Sequence, residues 1–374
     1  MSSLHEIRFR SSPLVELKQL ASLAAEERET FRELESDPEF YGLFIPRQPA
    51  VMNLKSAARQ TAELFQSLAI PAHLDRALLD DPEIIDLVLD GILEIESGDG
   101  FVSGADALSI LGTSTCEPGG ELSREALLHA QELETSDALT LSMALYRYNH
   151  VPISPFWRTR FAEPRTILAH VGADRGALRR MLDRDWIFDR NELAWLTWTS
   201  IAAPLRHDAG AATYKLYVSP RPEHVRDAFQ VLVRVLAAIP ASFKLGSSAA
   251  GLLRPDKLVA YFTTRDQLDE AAAMMQRELA GCDAQGVPFT AAIDERGLLS
   301  WGVDPPETER VLRSLQRSSW RLWIVQRLGG ALALAKAART TAAVEPWRFA
   351  VARMQRLGVD VDTWTPSAML WERS

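Results

Sequence analysis

Residues 213–220, "TYKLYVSP", have the alternation of a β-strand. With a period of two residues, Tyr214, Leu216 and Val218 share one face of the strand, which is apolar. Lys215 and Tyr217 point to the opposite face. The next residues, "RPEHVRDAFQVLVRVLAAIP", carry the apolar spacing of an amphipathic helix that packs on a sheet. This stretch therefore predicts a strand and helix of an α+β fold, with one strand face left for polar groups.

A second stretch, "RPDKLVAYF" at 254–262, repeats this pattern. Lys257 and Tyr261 share one face of the predicted strand, and apolar side chains occupy the other. Lys244 lies between the two strands in "ASFKLG", and Arg254 precedes the second strand. These cations indicate either a solvated face or a site built for an anion.

The chain is acidic overall but has one region with an excess of positive charge. The 374 residues are 47% hydrophobic and 24% charged, as in an ordinary globular protein, and carry a formal net charge of −9. This negative charge argues against a nucleic-acid partner. Nine Lys and Arg against four Asp and Glu nevertheless fall between Arg206 and Arg265. A local basic region in an acidic chain favours a localised anionic ligand, or a solvated basic surface.

The sequence predicts a cytoplasmic protein with no membrane segment and no cofactor. The N-terminal residues lack the basic-then-apolar order of a signal peptide, and no apolar run is long enough to span a bilayer. Cys116 and Cys282 alone support neither a disulfide framework nor a Cys-based zinc site. GxGxxG, GxxxxGK[ST], HExxH and GxSxG motifs are all missing, so neither a nucleotide cofactor nor a metal is predicted.

Residues 1–115 form a predicted N-terminal region that is mainly helical. Residues 1–45 carry an apolar stripe among charges, and helices are predicted near 52–69 and 82–90. Two short alternating runs around Gly-Asp-Gly, within 91–108, predict a hairpin. Helices followed by a hairpin suggest a winged-helix-like module for docking a leader peptide or partner. The alternative is a helix-hairpin piece of a larger α+β domain.

Residues 116–374 form a predicted catalytic domain with a mixed or antiparallel sheet flanked by helices. Its first part has a predicted helix at 121–148, an irregular Pro-rich loop at 150–166 and helical stretches at 174–203. Beyond it the patterns predict strands at 213–218, 257–263, 288–293 and 298–303, and helices at 222–239, 266–281, up to 342, and 346–357. Arg158 and Arg160 in the loop are candidates to reach a substrate pocket; the alternative is that Phe156 and Trp157 anchor the loop and both arginines are solvated.

Five segments, in order, resemble the Hop-type effector family: "YKLYVSP", "FKLG", "LLRPDKLVAYF", "VPFT" and "GLLSWGVDPP". Bacterial relatives in that family work as lyases in class V lanthipeptide and thioamitide biosynthesis. The resemblance covers roughly residues 145–310. It implies a kinase-like partner that phosphorylates Ser or Thr of a precursor peptide. The lyase would then eliminate phosphate to leave dehydroalanine or dehydrobutyrine, without a metal or organic cofactor.

A more distant similarity, to phosphothreonine lyases of the OspF type, bears on individual residues. Those enzymes use a Lys-x-His pair on a strand, followed by a Lys, an Arg and a Tyr. This chain offers Lys215 and Tyr217, then Lys244, Arg254 and Tyr261, in the same order. The departure is Tyr217, which stands where that pattern has the His credited as general acid.

Three alternatives for the acid stay open at this stage. Tyr217 donates the proton, a histidine from elsewhere (His207 or His150) does so, or the elimination needs little acid help.

β-Elimination removes a weakly acidic Cα proton while the bond to phosphate breaks. Its base must be neutral at the working pH. Lys244, flanked by Phe243 and Leu245, is the candidate for this role.

The phosphate must be held and its departure stabilised. Arg254 could hold it bidentately, with Lys215 or Lys257 as point charges. Tyr217 or Tyr261 could donate a hydrogen bond to the leaving oxygen.

Two other classes of function fit the same residues. One is a non-catalytic scaffold that binds a phosphopeptide or leader for a separate kinase or cyclase. The other is a cyclase that adds a Cys thiol to the dehydro residue. The cyclase ranks lower because the sequence shows no zinc-ligand cluster to activate a thiol.

Overall fold

The protein has an α+β fold with antiparallel sheets, which confirms the predicted class. The structure is a computed structural model. It describes residues 4–31, 34, 37–47, 55–98, 100–112, 116–189, 194–201, 212–305, 319–338 and 344–367.

The α-helices of the described residues, in chain order, are α1 (Ala25–Thr30), α2 (Arg59–Ser67), α3 (Arg76–Leu79), α4 (Pro82–Leu89), α5 (Glu121–Glu132), α6 (Ala138–Arg147), α7 (Pro155–Arg160), α8 (Pro164–Val171), α9 (Gly176–Asp185), α10 (Val225–Leu236), α11 (Ala249–Leu253), α12 (Arg265–Glu278), α13 (Trp320–Lys336) and α14 (Pro346–Arg356). The strands are β1 (Arg8–Ser11), β2 (Val15–Lys18), β3 (Phe40–Pro46), β4 (Lys55–Ala58), β5 (Ala72–His73), β6 (Leu93–Ser97), β7 (Gly100–Val102), β8 (Trp186–Asp189), β9 (Trp195–Ser200), β10 (Tyr214–Val218), β11 (Ser242–Gly246), β12 (Leu258–Phe262), β13 (Ala291–Ala292), β14 (Leu299–Val303), β15 (Val359–Asp360) and β16 (Thr365–Pro366).

The largest sheet has the strand order β13-β14-β10-β12-β11-β9-β8, and its neighbours all pair antiparallel. Both β10 and β11 pair with β12, so they run parallel to each other on its two sides. Helix α10 makes the crossover between them. Its strongly amphipathic sequence buries eight side chains, because one face packs on the sheet.

The predicted alternation decides which face of this sheet is apolar. Leu216 and Val218 of β10, with Leu258 and Phe262 of β12, lie in the main core beneath α8, α10 and α12. The intervening residues of both strands point to the opposite face. The predicted two-faced strands are therefore confirmed, and the polar face is the one that carries the lysines.

A second layer of helices lies on the polar side of the sheet. Helices α5, α6, α13 and α14 enclose a core that contains four buried tryptophans (Trp320, Trp323, Trp347 and Trp364). Helix α13 contacts both α6 and strand β14. The polar face of the sheet therefore meets this helical layer, and the candidate site residues lie at that boundary.

The N-terminal region contains more strand than the sequence predicted. Strands β1, β2 and β3 occupy parts of the stretch expected to be helical, and the sheets have the orders β5-β1-β6-β7 and β2-β3-β4. These strands are short, and β1 pairs with the distant β5 and β6, so no local pattern specifies them. The predicted hairpin is confirmed as β6 and β7. The winged-helix interpretation stays a prediction.

The division of the chain at residues 115 and 116 also stays a prediction. A core of its own, formed from Phe9 to Ala107, supports a separate N-terminal unit. A smaller cluster joins that unit to α13 and α14, and Arg353 pairs with Asp86 and Asp90 across the same boundary.

Three local predictions in the middle of the chain were wrong. The stretch 121–148 is two helices, α5 and α6, rather than one. The Pro-rich stretch 150–166 contains α7 and the start of α8, because Pro155 and Pro164 stand in the first turn, where the missing N–H is harmless. The described part of the stretch 174–203, predicted as two helical stretches, has one helix, α9, followed by strands β8 and β9.

Candidate active site

A cavity of about 120 Å³ lies between the polar face of the large sheet and the helical layer. It is lined by Tyr146, Trp195, Lys215, Tyr217, Lys244, Arg254, Asp256, Val259, Tyr261 and Ser319. Five of the residues proposed from the sequence thus meet here: Lys215, Tyr217, Lys244, Arg254 and Tyr261. They come from three strands and one turn, and the strand pairing brings them together.

The register of the sheet sets the distance between the proposed base and acid. Val259 is directly opposite Tyr217 on one side and opposite Lys244 on the other. Neighbouring strands lie about 4.8 Å apart, so the backbones of Tyr217 and Lys244 are about 10 Å apart. The long side chains of Tyr217 and Lys244 can therefore approach the same part of a substrate from opposite sides, with Val259 between them on the sheet.

Lys215 is fixed at the cavity by an ion pair. Its ammonium group donates to Oδ1 of Asp304 at 2.5 Å, and it lies 5.5 Å from the centre of the Tyr261 ring. Asp304 also accepts the backbone N–H of Trp320 at the start of α13. Asp304 therefore orients a buried lysine and also binds the N-terminus of α13.

Aromatic rings form the walls around Lys244. Its Nζ lies 4.2 Å from the centre of the Trp195 ring and 5.2 Å from that of Tyr261. Strand pairing places Lys244 opposite Thr197 on β9. Lys244 is thus a residue of strand β11.

Arg254 is held by a carboxylate and a phenol. Its Nε and Nη2 donate to the two oxygens of Asp256, and Nη2 also donates to the hydroxyl of Tyr146 at 2.7 Å. The Trp195 ring packs 4.8 Å from the guanidinium carbon. Burial alone would raise the pKa of Asp256, but Arg321 and Arg254 together lower that pKa well below its usual value.

Tyr217 presents an unsatisfied hydroxyl to the cavity. The residue is 3% exposed, and its hydroxyl has no hydrogen-bond partner among the described residues. Burial, together with the carboxylates of Asp304 and Asp256, raises the pKa of Tyr217 well above 10. It is therefore a neutral phenol at physiological pH and can donate its proton in a hydrogen bond to a ligand.

Lys257 does not reach the cavity, which corrects its proposed role in phosphate binding. It precedes β12 at the edge of the site, and its ammonium group donates to the carbonyl of Pro220 and to Oε1 of Gln285, at 2.7 and 2.6 Å. The side chain is completely buried, and burial lowers its pKa to about 7. Both acceptors are neutral, so they fix the position of the amine but do not offset the effect of burial on its pKa.

Arg158 and Arg160 also lie outside the cavity. Both are exposed on α7, where Arg160 packs over the ring of Phe156 and contacts His170. The helix that replaces the expected loop holds them on the surface. They do not line the cavity and are exposed, as in the solvated alternative, and a role in substrate binding stays a prediction.

Of the two histidines considered as the acid, His207 lies outside the described residues. His150 does not line the cavity, but it is near the ion pairs of Arg254 and Asp256. Burial and the charge of Arg321 lower the pKa of His150 to about 4. It is neutral at physiological pH and is a poor source of a proton.

The sequence analysis missed Tyr146, Trp195, Asp256, Ser319 and Arg321 as members or neighbours of the site. Arg321 had a signal: a cation within "SSWRLWIV" falls on the buried face of an apolar helix and therefore needs a partner. Trp195 and Tyr146 had none, because each resembles an ordinary core aromatic.

Within the described ranges, no group of three or more His, Cys, Asp or Glu residues could hold a metal ion. The same ranges contain no helix that is both long and apolar enough to cross a bilayer.

No family model and no curated protein matches this chain. Solved structures resemble it distantly. An effector protein from Pseudomonas syringae pv. tomato strain DC3000 is 12% identical, with a TM-score of 0.37 over 65% of this chain and 95% of that chain. The phosphothreonine lyase OspF from Shigella flexneri is 12% identical, with a TM-score of 0.27 over 41% and 86%. VirA (SpvC) from Chromobacterium violaceum, also a phosphothreonine lyase, is 14% identical, with a TM-score of 0.27 over 38% and 77%.

The chain therefore has distant structural similarity to OspF-type lyases and to Pseudomonas effectors. At these TM-scores the likeness carries no argument about activity, so the function must be argued from the cavity itself.

Proposed function

We propose that this protein is a carbon–oxygen lyase that eliminates phosphate from phosphoserine or phosphothreonine in a peptide. The observation that carries the proposal is the meeting of two lysines, one arginine and a phenol with no described hydrogen-bond partner in a single cavity. Lys215, Lys244 and Arg254 suit an anionic group, and the Tyr217 hydroxyl requires an acceptor. A phosphate ester supplies both the charge and the acceptor oxygens.

The elimination needs one base and one stabilised leaving group. The Cα proton moves to Nζ of Lys244, and the C–H electron pair becomes the second bond between Cα and Cβ. The Cβ–O bond breaks, and its electron pair leaves on the phosphate. The product is a dehydroalanine or dehydrobutyrine residue and inorganic phosphate, so no oxidant, metal or organic cofactor is consumed.

The remaining groups act on the phosphate. Arg254 and Lys215 lie on the cavity wall as permanent donors to its oxygens. Tyr217 remains neutral because of its burial, and donates a hydrogen bond to the ester oxygen as negative charge develops there. Tyr217 and Lys244 lie on the two sides of Val259. Lys244 can therefore take the Cα proton on one side of the substrate residue while Tyr217 donates to the departing phosphate on the other side.

The substrate that we propose is a ribosomally made precursor peptide, phosphorylated by a kinase-like partner in the cytoplasm. The resemblance to lyases of lanthipeptide biosynthesis supports this context. The N-terminal region up to residue 115 is our candidate for leader or partner docking, because it has a core of its own that a smaller cluster joins to α13 and α14. Deletion of this region would weaken leader-peptide binding if the assignment is correct.

Mass spectrometry of a phosphorylated peptide, incubated with the purified protein, tests the activity. Elimination leaves the peptide one phosphoric acid lighter, whereas a phosphatase leaves it heavier than this by one water. An added thiol then labels only the dehydro residue. Lys244→Ala is expected to abolish the change, and Lys18→Ala, on a half-buried lysine of β2 that pairs with Glu16, serves as the matched control.

Two results would contradict the proposal. An intact phosphopeptide that binds the protein tightly would favour the non-catalytic scaffold. A product heavier by one water would show hydrolysis rather than elimination.

A further inference from the structure

One carboxylate, that of Asp256, lies between two buried guanidinium groups. On one side it accepts hydrogen bonds from Nε and Nη2 of Arg254, the latter at 2.8 Å. On the other side, Nη1 of Arg321 lies 3.2 Å from its Oδ2. Tyr146 completes the group, since its hydroxyl accepts from Arg254 and lies 3.5 Å from the same Oδ2.

These contacts leave Arg254 one unengaged nitrogen. The Nε hydrogen and one Nη2 hydrogen go to Asp256, and the second Nη2 hydrogen goes to Tyr146. Nη1, with two N–H groups, has no hydrogen-bond acceptor among the described residues. The Trp195 ring fixes the plane of the guanidinium. Bidentate binding of a phosphate through Nε and Nη2 is therefore blocked, and Nη1 is the nitrogen left to meet it.

Arg321 anchors the group to the helical layer. It is 1% exposed, donates through Nη2 to the backbone carbonyl of Tyr146 at 2.6 Å, and packs 4.6 Å from the centre of the Tyr146 ring. Arg321 is the second residue of α13, two residues after Ser319, which lines the cavity. Asp256 is thus held from the side opposite to Arg254 by a residue that cannot turn toward solvent.

We infer that Asp256 is a positioning residue: it orients Arg254 so that Nη1 faces the departing phosphate, while Arg321 holds Asp256 in place. This inference rests on the proposed elimination. Asp256 is not a proton donor in this scheme, because its two arginine neighbours keep it ionised. Its negative charge opposes the binding of an anion, so its benefit must come from geometry.

The substitution Asp256→Asn tests whether Asp256 acts by orienting Arg254 or by its negative charge. The amide has the same shape but places an N–H₂ group against one arginine and cannot hold both Nε and Nη2 of Arg254. A displacement of about 1 Å in a substrate-positioning group can cost about 100-fold in rate, and we expect a fall in kcat of that order. Inorganic phosphate should bind at least as tightly as before, because one negative charge near the cavity has been removed.

The experiment measures kcat and KM for a phosphopeptide, and the binding of inorganic phosphate by calorimetry. It compares unmodified protein, Asp256→Asn, Tyr146→Phe and Asp269→Asn. Tyr146→Phe frees one Nη2 hydrogen with little risk to folding, and should lower kcat about tenfold without weakening phosphate binding. Asp269→Asn, which breaks the exposed pair with Arg265, is the matched control and should change neither.

A lower kcat with phosphate binding retained in both Asp256→Asn and Tyr146→Phe would establish the positioning role. Unchanged kcat in both variants would overturn it. Parallel loss of kcat and phosphate binding would also overturn it, since Asp256 would then serve only the fold. If the unmodified protein does not eliminate phosphate, the proposed function itself is wrong. Results with the variants alone bear only on the positioning role of Asp256.

Discussion

Lys257 offers a test of the buried electrostatics beside the site. Its ammonium group is completely buried against two neutral oxygens, and burial lowers its pKa from 10.5 to about 7. Tenfold in proton affinity is worth about 1.4 kcal/mol, so protonated Lys257 destabilises the folded state by about 5 kcal/mol. The perturbation that we propose is Lys257→Met, which has similar length and no charge.

The sign of the pH dependence follows from proton counting. Below pH 7 the lysine is protonated in the folded and unfolded states, and the full penalty applies. Between pH 7 and 10.5 the unfolded chain binds the additional proton, so the stability of the unmodified protein rises with pH. The methionine variant lacks this rise. Its stability relative to the unmodified protein should fall by about 2 kcal/mol between pH 7 and pH 9.

Guanidinium unfolding followed by tryptophan fluorescence at a series of pH values measures this difference. Below pH 7, Lys257→Met removes the cost of burying a charged ammonium group. The same substitution leaves the carbonyl of Pro220 and the side-chain oxygen of Gln285 without a donor, at a cost of about 1–3 kcal/mol each, which offsets that gain. The absolute difference there should thus be small, and its change with pH is decisive. A difference that stays flat from pH 7 to 9 would refute the reasoning. The elimination rate should be preserved, because Lys257 does not line the cavity.

Three further predictions concern the site and its support. Lys244→Arg should abolish elimination but keep phosphopeptide binding, because a guanidinium stays protonated and cannot act as base; mass spectrometry and calorimetry measure the two effects. Tyr217→Phe should lower kcat about 100-fold yet leave the melting temperature unchanged or higher, because the deleted hydroxyl has no partner in the described structure. Gly246→Ala should destabilise the protein by about 1–3 kcal/mol in thermal or denaturant unfolding, since its Cβ would lie 2.4 Å from the backbone of Gly251.

Each of these has a control or an opposing result. Turnover by Lys244→Arg would place the base elsewhere. A clear loss of stability in Tyr217→Phe would mean that the hydroxyl has a structural partner. Gly100→Ala, where an added Cβ meets nothing within 4 Å, is the matched control for Gly246→Ala. Equal stability of both glycine variants would show that the backbones can separate without cost.

Much of the site could be predicted because its residues lie on alternating strands. The period of two placed Lys215, Tyr217 and Tyr261 on one face from the sequence alone. Arg254 pairs with Asp256, only two residues along the chain, so this contact is also local.

Other features required contacts between distant segments. Lys257 shares the predicted face of Tyr261, but whether its amine reaches the cavity depends on Pro220 and Gln285, which the alternation does not identify. The N-terminal strands were missed because their partners lie far along the chain, and short strands gain their stability from those partners rather than from local preference.

The sequence by itself determined the class of fold, the apolar and polar faces of the central strands, and a set of cations ordered along the chain. These follow from local periodicity, which the backbone geometry of a strand or helix imposes directly. Only the tertiary structure decided which basic residues share a cavity, that Nε and Nη2 of Arg254 are bound by Asp256 and Tyr146, and that Arg321 stands behind Asp256. Those outcomes depend on strand register and on the packing of α13, where residues far apart in sequence must satisfy each other's charges away from water.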